Sequence, residues 1–392
     1  MLDNTTTTQH SESALLWTLL IGNFVIGTGV MLVPGTLNDI ATSLQTSVAS
    51  AGQLITAGAI TVCIGAPLLA ATMAKLDRRM LLATTMLWYA LMHAACALAP
   101  GYTSLLILRV LALISAAIFT PQAAAVAGML VSPERRGRAI TTVFLGWSVA
   151  SVVGAPLAAL IGGEYGWRAA FWLLAGLALL CAVLVWRVIP LGVRPPAISG
   201  AMWRQTLGSK LLIVTVLVTA LSASGQFVQF AYFSPYVVQV LGGTAKDVAL
   251  LFAVFGLFGV IGSFAVSRMI DRVGPPQAVM MTLVLMAISL LLWPLGTSIT
   301  MLALVCIPWG LGCFSCNSAQ QARLVALAPA MASVSVALNT SAIYLGQGVG
   351  SAVGGVMVNH GHMAQLHWAG LAGLLLAMGL SAWAQKLARQ QS

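Results

Sequence analysis

Apolar residues run through this chain in stretches of about 20 residues or more, separated by short polar or charged segments. Such a stretch can cross the hydrocarbon core of a bilayer as an α-helix, which satisfies its own backbone hydrogen bonds in lipid. The stretches lack the alternation of polar and apolar residues that membrane β-barrel strands show. The pattern predicts twelve spanning helices, numbered here as spans 1 to 12, at roughly 15–41, 48–73, 80–98, 103–130, 139–162, 169–189, 210–238, 247–268, 276–297, 299–326, 332–358 and 365–385.

The composition of the 392 residues is that of a membrane protein. Hydrophobic residues make up 59% of the chain and charged residues 7%, and the mean hydropathy of +0.97 lies far above that of soluble domains. The first dozen residues carry no Lys or Arg and no cleavage site follows them, so we expect span 1 to be retained. The sequence therefore predicts an all-α polytopic membrane protein.

The eighteen Lys and Arg residues indicate the orientation of the chain. Positively charged loops are retained in the cytoplasm, and fifteen of the eighteen, Arg323 among them, fall in or beside segments on one side of the membrane. Arg168 and Lys246 lie on the opposite side, and Arg109 lies within span 4. Both termini are therefore predicted to be cytoplasmic, and the net charge of +10 reflects topology rather than a nucleic-acid partner.

No cofactor or metal site is predicted. All six cysteines lie inside spans, and Cys313-x-x-Cys316 has no second pair of ligands to complete a zinc site. Packing is therefore the favoured role of the cysteines. His360, His362 and His367 cluster near the loop before span 12 without acidic or cysteine partners, so we expect them in a solvated loop.

The chain has the features of a duplication. Residues 190–209 form the longest weakly apolar segment between spans, which predicts a cytoplasmic linker between an N-terminal six-helix bundle, residues 1–189, and a C-terminal one, residues 210–392. Small residues at every fourth position share one helical face and let neighbouring helices approach closely. Two such stripes, 196 residues apart (342 − 146), are Gly146, Ala150, Gly154, Ala158, Gly162 in span 5 and Ala342, Gly346, Gly350, Gly354 in span 11. Matched stripes in two halves are typical of alternating-access transporters, although each stripe alone is also an ordinary packing seam.

Several short segments resemble those of one transporter family. They are "LDRRMLL" (76–82), "SRMIDRVG" (Ser267–Gly274), "ERRGRA" (Glu134–Ala139), "GWSVASVVGAPLAALIGG" (Gly146–Gly163), "LNTSAIYLGQGVGSAVGG" (Leu338–Gly355) and the arginine of span 4, Arg109. With them the chain resembles the major facilitator superfamily and, within it, the twelve-span drug:proton antiporter family, in the branch of sugar and arabinose efflux permeases. The resemblance covers nearly the whole chain. It implies a monomeric transporter of two pseudo-symmetric six-helix halves in the bacterial inner membrane, with protons, a small-molecule substrate and the lipid bilayer as partners.

The resemblance also implies gating and packing roles for the motif residues. They are Asp77, Arg78, Arg79, Asp271, Arg272, Gly274, Gly146, Gly154, Pro156, Gly162, Gly346, Gly350 and Gly354. Two departures distinguish this chain from the family pattern. Ala74 stands where the family has its loop aspartate, for which Asp77 is the available substitute, and Gly154-Ala155-Pro156 replaces the adjacent Gly-Pro of span 5.

Polar and aromatic side chains within the spans are candidates for a substrate cavity, which by the resemblance is lined by spans 1, 4, 7 and 10. On span 7, Gln226, Gln229 and Phe233 share one helical face through their i, i+3, i+7 spacing. Amides inside a membrane face protein or water, so these either bind substrate or join neighbouring helices by hydrogen bonds. The other candidates are Asn23, Gln122, Tyr232, Tyr236, Trp309, Phe314, Asn317, Gln321, Tyr344 and Gln347. Such an apolar, aromatic and uncharged lining suits amphipathic or neutral organic molecules.

Proton coupling requires a titratable group, and the chain offers three candidates. Asp39, near the outer end of span 1, is the carboxylate that comes closest to the membrane interior. At about 1.5 Å per residue, Asp39 and Arg109 are expected at equal depth, so we hypothesise that they pair in at least one state and that protonation of Asp39 releases the arginine. The alternative is an outer-end charge on Asp39 and an Arg109 bonded to backbone carbonyls of span 1. His93 is the third candidate, since its unperturbed pKa is about 6.5, with core packing as the alternative.

The leading interpretation is a secondary active transporter that exports small amphipathic, drug-like molecules in exchange for protons by alternating access. A sugar, nucleoside or other metabolite permease of the same fold is the alternative, since the same amides would serve it. A membrane-embedded enzyme or sensor is the remote alternative, because the sequence has no phosphate-binding loop, no nucleophile with a base and no H-E-x-x-H motif. We therefore do not expect an enzyme.

Overall fold

The computed structural model describes residues 3–73, 76–132, 135–194 and 200–391, and within these ranges the chain is helical and has no β-strand. Ala74 and Glu134, which belong to the motifs above, lie outside the described ranges, as do residues 195–199 of the expected linker. The helices follow the hydrophobic stretches because a helix is the local structure that satisfies every backbone hydrogen bond in lipid.

Six spanning helices form the first half of the molecule. They are α1 (Asp3–Ser43), α2 (Val48–Thr72), α3 (Arg78–Ala97), α4 (Tyr102–Leu130), α5 (Arg136–Val149 and Ala155–Tyr165, joined by the π turn Ala150–Gly154) and α6 (Trp167–Val188). A short helix, Gly200–Gly208, precedes the second half.

Six more spanning helices form the second half. They are α7 (Lys210–Phe230 and Phe233–Gln239), α8 (Ala245–Val273), α9 (Pro275–Leu292), α10 (Ile299–Leu327), α11 (Ala332–Asn359) and α12 (Leu366–Gln391). In the described part of the chain, twelve helices are long and apolar enough to cross a membrane. The prediction of a polytopic twelve-helix fold is confirmed.

Two spanning helices are interrupted just before a proline. Proline has no N–H, and its ring clashes with the carbonyl group four residues earlier. In α5 the π turn Ala150–Gly154 precedes Pro156, and α7 breaks at Ala231 and Tyr232, ahead of Pro235. Both interrupted segments contact the other half of the molecule.

The glycine stripes pack α5 on α1 and α11 on α7 in the same register. A Cβ at Gly154 would overlap the Thr28 side chain, and a Cβ at Gly350 would overlap the carbonyl oxygen of Ser224. The second pair lies 196 residues after the first (350 − 154 and 224 − 28), so the two halves repeat one packing arrangement. Glycine is required for this helix spacing because any side chain would meet the facing helix. Equivalent close approaches occur at Gly146 and Gly162 against α1 and at Gly346 and Gly354 against α7.

The two halves are joined by polar contacts at one end of the bundle. We call the end that carries both chain termini the terminal face, and the opposite end the distal face. Among the described residues, the hydrogen bonds and the ion pair between the halves lie toward the distal face. They are Gln239 Nε2 to Asn38 Oδ1 (2.9 Å), Ser351 Oγ to Gly52 O (3.2 Å) and Lys246 Nζ to Glu164 Oε1 (3.6 Å). The halves are therefore closed against each other at the distal face.

Candidate functional site

A cavity lies between the two halves. The space in it that water could occupy is about 30 Å³ in this state, so it holds no more than a few water molecules and must widen to admit an organic ligand. Helices α1, α2, α4 and α5 line it from the first half, and α7 and α11 from the second. The lining residues are Val30, Met31, Pro34, Ile55, Ala59, Arg109, Leu113, Trp147, Phe227, Phe230, Tyr344 and Gln347.

Arg109 is the charged residue of this lining, and its side chain is 1% exposed. Its Nη2 donates to the carbonyl oxygens of Gly29 (2.6 Å) and Val30 (3.4 Å) on α1. Its Nη1 lies 3.3 Å from Nε2 of His93 on α3. Its Nε has no hydrogen-bond partner within the described ranges. Neutral acceptors therefore hold the guanidinium in place.

His93 is fully buried and uses both ring nitrogens. Its Nδ1 lies 2.9 Å from the carbonyl oxygen of Tyr89. Because a carbonyl group only accepts, Nδ1 carries the hydrogen, and the lone pair of Nε2 accepts from Arg109. The ring also packs edge-on against Tyr89 and stacks on Phe171. His93 is therefore a neutral imidazole in this arrangement.

Gly29 brings α1 close enough for this network to form. A Cβ at this position would overlap the Tyr89 hydroxyl and lie 2.7 Å from Leu174 Cδ2. Tyr89 Oη donates to the carbonyl oxygen of Ile26 at 3.2 Å. Because no side chain stands between the helices here, Arg109 and Tyr89 both reach backbone carbonyls of α1.

Asp39 does not share the depth of Arg109, so the expectation of equal depth is wrong. Arg109 contacts Gly29 and Val30, which precede Asp39 on α1 by nine or ten residues, or roughly 14 Å along a helix axis. The physical reason is that α1 continues to Ser43, well beyond the level of the α4 arginine. In the described residues Asp39 makes no ion pair, so its pairing with Arg109 stays a prediction for another state.

Two of the substrate-cavity candidates, Tyr344 and Gln347, line the cavity together with Arg109. Three aromatic residues that were not predicted from the sequence also line it: Trp147, Phe227 and Phe230. The sequence offers one signal for Trp147, its place beside Gly146 on a helix that must approach α1 closely. For the two phenylalanines it offers none, since an aromatic ring in a span is equally compatible with packing or lipid contact.

Three further candidates, Phe233, Trp309 and Tyr236, lie in an aromatic cluster inside the second half. The ring centroids of Phe233 and Trp309 are 6.3 Å apart, and those of Tyr236 and Trp293 are 5.6 Å apart. Phe314 lies at the edge of the cluster, 6.0 Å from the ring of Phe255. In this state these rings pack α7 against α8, α9 and α10 rather than line the cavity.

In the first half, Asn23 joins three helices. Asn23 Nδ2 donates to the carbonyl oxygen of Val143 on α5 (3.0 Å), and its Oδ1 accepts from Thr120 Oγ1 on α4 (2.8 Å). Trp147 Nε1 donates to the same threonine oxygen at 3.4 Å. Gln122 is also buried on α4. The asparagine therefore serves helix packing and orients one wall of the cavity.

Three candidate amides of the second half bond to a neighbouring helix or within their own helix. Asn317 Oδ1 accepts from Asn339 Nδ2 (3.2 Å) and from Gln321 Nε2 (3.5 Å). Gln226 Nε2 donates to the carbonyl oxygen of Ser222 (3.2 Å). Asn317 and Gln321 are partly exposed.

Tyr232 and Gln229 are fully buried on α7. Tyr232 packs against Gly52 and Gly354, and its hydroxyl donates to the carbonyl oxygen of Ser351 at 3.0 Å. Tyr232 therefore fills the contact between α2, α7 and α11. Neither polar atom of the Gln229 amide has a hydrogen-bond partner among the described residues.

His367 is buried in the first turn of α12, with 4% of its surface exposed. The prediction that it lies in a solvated loop is wrong, because α12 begins at Leu366 and packs this turn against the bundle. His360 and His362 are exposed, as expected. No group of three or more His, Cys, Asp or Glu side chains in the described part of the chain is placed to hold a metal ion.

Arg323 is another buried arginine, although its place near the end of span 10 led us to count it among the loop charges of one side of the membrane. It belongs to α10, which extends to Leu327, and its side chain is 2% exposed. Nη1 donates to Ser381 Oγ at 3.0 Å and Nη2 to the Ser381 carbonyl oxygen at 3.3 Å. The sequence could not indicate this partner, which lies 58 residues away on α12.

Asp77 ties the loop before α3 to the segment after α6. Its Oδ1 accepts from the backbone N–H groups of Arg79 and Met80 as an N-cap, and its Oδ2 accepts from the N–H of Gly192 at 2.5 Å. Arg78 Nη1 donates to two carbonyl oxygens of the same loop. Asp77 therefore acts within the first half in this state, and its expected gating role stays a prediction.

The second-half motif forms the end of α8. Asp271 and Arg272 lie in the last turn and are exposed. Gly274 follows with φ of +83°, a left-handed conformation that glycine adopts without strain. Gly274 thus ends α8 and begins the tight connection to α9.

Comparison with known proteins places the chain among membrane transporters. A sequence profile described as Major Facilitator Superfamily matches residues 19–351 and 217–388. The "Uncharacterized MFS-type transporter YbcL" of Bacillus subtilis (strain 168) is 26% identical over 369 residues, which cover 94% of this chain and 95% of the relative.

Two other relatives have more specific names. The "Inner membrane transport protein YdhP" of Escherichia coli (strain K12) is 29% identical over 353 residues, 88% of this chain and 89% of the relative. A "Probable sugar efflux transporter" of Helicobacter pylori (strain HPAG1) is 28% identical over 362 residues, 92% of this chain and 91% of the relative.

Solved structures share the fold. A bacterial homologue of the human lysosomal transporter Spinster, in an inward-facing and unoccupied conformation, superposes with a TM-score of 0.79 at 16% identity, covering 96% of this chain and 97% of that one. A D-xylose–proton symporter superposes with a TM-score of 0.75 at 17% identity, covering 94% and 96%.

Proposed function

Because this chain belongs to the major facilitator superfamily, we propose that it exports small amphipathic organic molecules in exchange for protons. Membership of the superfamily makes it a multi-pass membrane transporter and not an enzyme. The substrate, the direction of transport and the coupling ion are the parts that we propose. They rest on the cavity and on the buried network beside it.

The chemistry of the cavity carries the proposal. Its lining is formed mainly by aliphatic and aromatic side chains, with Arg109, Tyr344, Gln347 and the indole of Trp147 as its polar members. A site of this kind binds an apolar body and orients it through a few polar groups. Molecules with an aromatic or aliphatic body and one polar group suit it best.

A sugar exporter is the second candidate, because one relative carries the name of a sugar efflux transporter. A sugar would need several hydrogen-bonding groups around it, since buried hydroxyl groups without partners are costly. Gln347 supplies one amide in the lining, and Asn317 and Gln321 are the partly exposed amides of α10 that would supply more. Neither lines the cavity in this state, which favours the amphipathic substrate.

The arrangement of the two halves supports transport by alternating access. The halves are closed at the distal face by the three polar contacts described above. If the termini are cytoplasmic, as the distribution of positive residues predicts, this closure blocks the outer side, and the substrate reaches the cavity from the cytoplasm. An exporter loads its substrate from that side.

His93 and Arg109 support a proton-coupling step. Neutral His93 accepts a hydrogen bond from Arg109. A protonated imidazole has no lone pair to accept with, and it would repel the guanidinium. Protonation of His93 would therefore displace Arg109 from its place in the cavity wall, so that proton and substrate compete. Asp39 is the alternative coupling group, through the ion pair with Arg109 expected in another state.

Uptake into inverted membrane vesicles tests the function. Vesicles that contain the protein are given an acidic interior and a panel of lipophilic drugs and sugars. We expect amphipathic compounds to accumulate, and a protonophore to abolish the accumulation. Vesicles without the protein are the control. Gradient-driven uptake of sugars alone would favour the second candidate, and no gradient-driven flux of any compound would count against proton antiport.

We further propose that the protein is a monomer in a bacterial inner membrane with both termini cytoplasmic and with lipid, protons and a small molecule as its partners. One relative is named an inner membrane transport protein. The fifteen positive residues of one side support the orientation. Fusion of a reporter that is active only in the periplasm to the C-terminus should give no signal.

A further inference from the structure

The positive charge of Arg109 has no counter-ion near it in the described part of the chain. The ion pairs in these ranges join other residues. The titratable groups that face the guanidinium are Tyr89, His93 and Cys96, all on α3. From α1 it receives only backbone carbonyl oxygens. Arg109 is therefore a buried and uncompensated cation.

The guanidinium also keeps hydrogen-bond donors for a further partner. It has five N–H groups in a fixed planar fork. Nε makes no hydrogen bond to any described residue, and the contact from Nη2 to Val30 O is long, at 3.4 Å. A carboxylate is the group that best matches such a fork, because two parallel N–H···O bonds form at once.

The position of the charge connects it to the cavity. Arg109 lines the cavity, and no Asp or Glu from the described ranges lies in its wall. A buried charge without a partner is costly, and an opposite charge in a site of low dielectric constant is strongly attracted to it. A cationic ligand would be repelled by Arg109. The cavity thus selects for the charge of its ligand as well as for its apolar body.

We propose that the substrate is an amphipathic organic anion, whose carboxylate pairs with Arg109 and whose apolar body lies against Trp147, Phe227 and Phe230. This inference names the substrate class of the proposed exporter and rests on the same cavity. It also makes the competition with protons direct, because protonated His93 would displace the arginine that holds the anion.

Binding to the purified full-length protein in lipid nanodiscs tests the inference without transport. The probes are 2-naphthoate, 2-naphthamide and 2-naphthylmethylammonium, which share one ring system and carry charges of −1, 0 and +1. Affinities are measured by equilibrium dialysis at pH 8. We expect naphthoate to bind at least about tenfold more tightly than the amide, as a charge-assisted pair in a buried site does, and the ammonium compound to bind most weakly.

Two variants locate the preference at Arg109. Arg109→Gln should bind naphthoate and naphthamide equally. Gln347→Glu places a carboxylate in the cavity lining with almost no change of shape, so it should remove the preference for the anion even if Arg109→Gln fails to fold. The matched controls are Arg187→Gln and Gln365→Glu, the same changes at exposed positions outside the cavity. Both should keep the preference of the unsubstituted protein.

Equal binding of the three probes by the unsubstituted protein would overturn the inference. So would a preference for naphthoate that survives in both Arg109→Gln and Gln347→Glu. The outcomes are separate from those of the vesicle assay. Selective binding of naphthoate without gradient-driven uptake would refute proton antiport but not the anion site. Gradient-driven uptake of cationic drugs without selective binding of naphthoate would refute the anion site but not proton antiport.

Discussion

Replacement of Gly256 by alanine should shift the protein toward a state that is open at the distal face. Gly256 lies in α8 and faces α5 of the other half. A Cβ there would lie 2.6 Å from the carbonyl carbon and oxygen of Ser151 and 2.7 Å from Val152 Cα. These are backbone atoms, which cannot rotate away. Gly256 lies eleven residues (256 − 245) after the distal start of the 29-residue helix α8, so opening of the distal face would separate it from α5.

The size of the effect follows from the overlap. Ordinary contacts of a Cβ begin near 3.4 Å, so α5 and α8 must move apart by about 0.8 Å (3.4 − 2.6). Overpacking of this kind costs about 1–3 kcal/mol. Because only the state in which the two helices touch bears this cost, the equilibrium between the two states should shift by roughly 5–150-fold.

The distance between two spin labels at the distal face measures the shift. Thr42→Cys and Val240→Cys place the labels at exposed positions on α1 and just after α7, beside the contact between Asn38 and Gln239. We expect Gly256→Ala to increase the population of long distances. Gly348→Ala is the matched control, since its Cβ would make an ordinary contact of 3.5 Å with α2 of the other half. An unchanged distance distribution in Gly256→Ala would refute the reasoning.

Three further predictions concern the buried network. His93→Phe removes the side-chain acceptor of Arg109, so the free energy of unfolding should fall by about 1–3 kcal/mol. The dependence of vesicle uptake on the pH gradient should also be lost. Full pH-driven uptake by a folded variant would exclude His93 as the coupling group. Asp39→Asn should keep its stability, because Asp39 makes no ion pair within the described ranges, and full pH-driven transport in this variant would rule out Asp39 as the coupling group. Gly29→Ala should displace Tyr89 and lower the thermal midpoint of unfolding, because overpacking costs about 1–3 kcal/mol of folding free energy. Gly176→Ala, whose Cβ meets no atom within 4 Å, should leave the midpoint unchanged. Equal midpoints in the two variants would contradict the role of Gly29.

The twelve helices could be predicted because the thickness of a bilayer sets their length and no tertiary detail is needed. The register of the repeat could be predicted for a related reason: a glycine at every fourth position matters only where helices approach closely. The failure at Arg323 has the converse cause. Whether a cation near a helix end faces solvent or a neighbouring helix depends on that neighbour, here Ser381 on α12, which no local pattern specifies.

The residues of the site were only partly predictable. The spacing of Gln226, Gln229 and Phe233 identifies a shared face of α7, but the direction of that face is set by packing. In this state Phe233 points into the aromatic cluster, and Phe227 and Phe230 line the cavity instead. The contact between His93 and Arg109 was not predicted, because the position of a residue along its helix indicates its depth and not which neighbouring helix its side chain faces.

The two halves repeat the same helix contacts with different side chains, and this difference gives the halves different roles. The positions 196 residues after His93 and Arg109 are Ser289 and Val305, which also touch, since Ser289 Oγ donates to the carbonyl oxygen of Val305 at 2.6 Å. The second half thus holds an uncharged contact where the first half holds the titratable one.

Coupling to protons should therefore depend on the first half, and the choice of substrate should depend also on the aromatic wall of the second. Phe230→Leu removes an aromatic ring from that wall. We expect it to weaken the binding of naphthoate and naphthamide together, by about 0.5–1.5 kcal/mol for the lost ring contacts, without change in the dependence of uptake on the pH gradient. Equilibrium dialysis and vesicle uptake measure the two effects separately. A loss of pH dependence in Phe230→Leu would show that the coupling network extends across the cavity into α7.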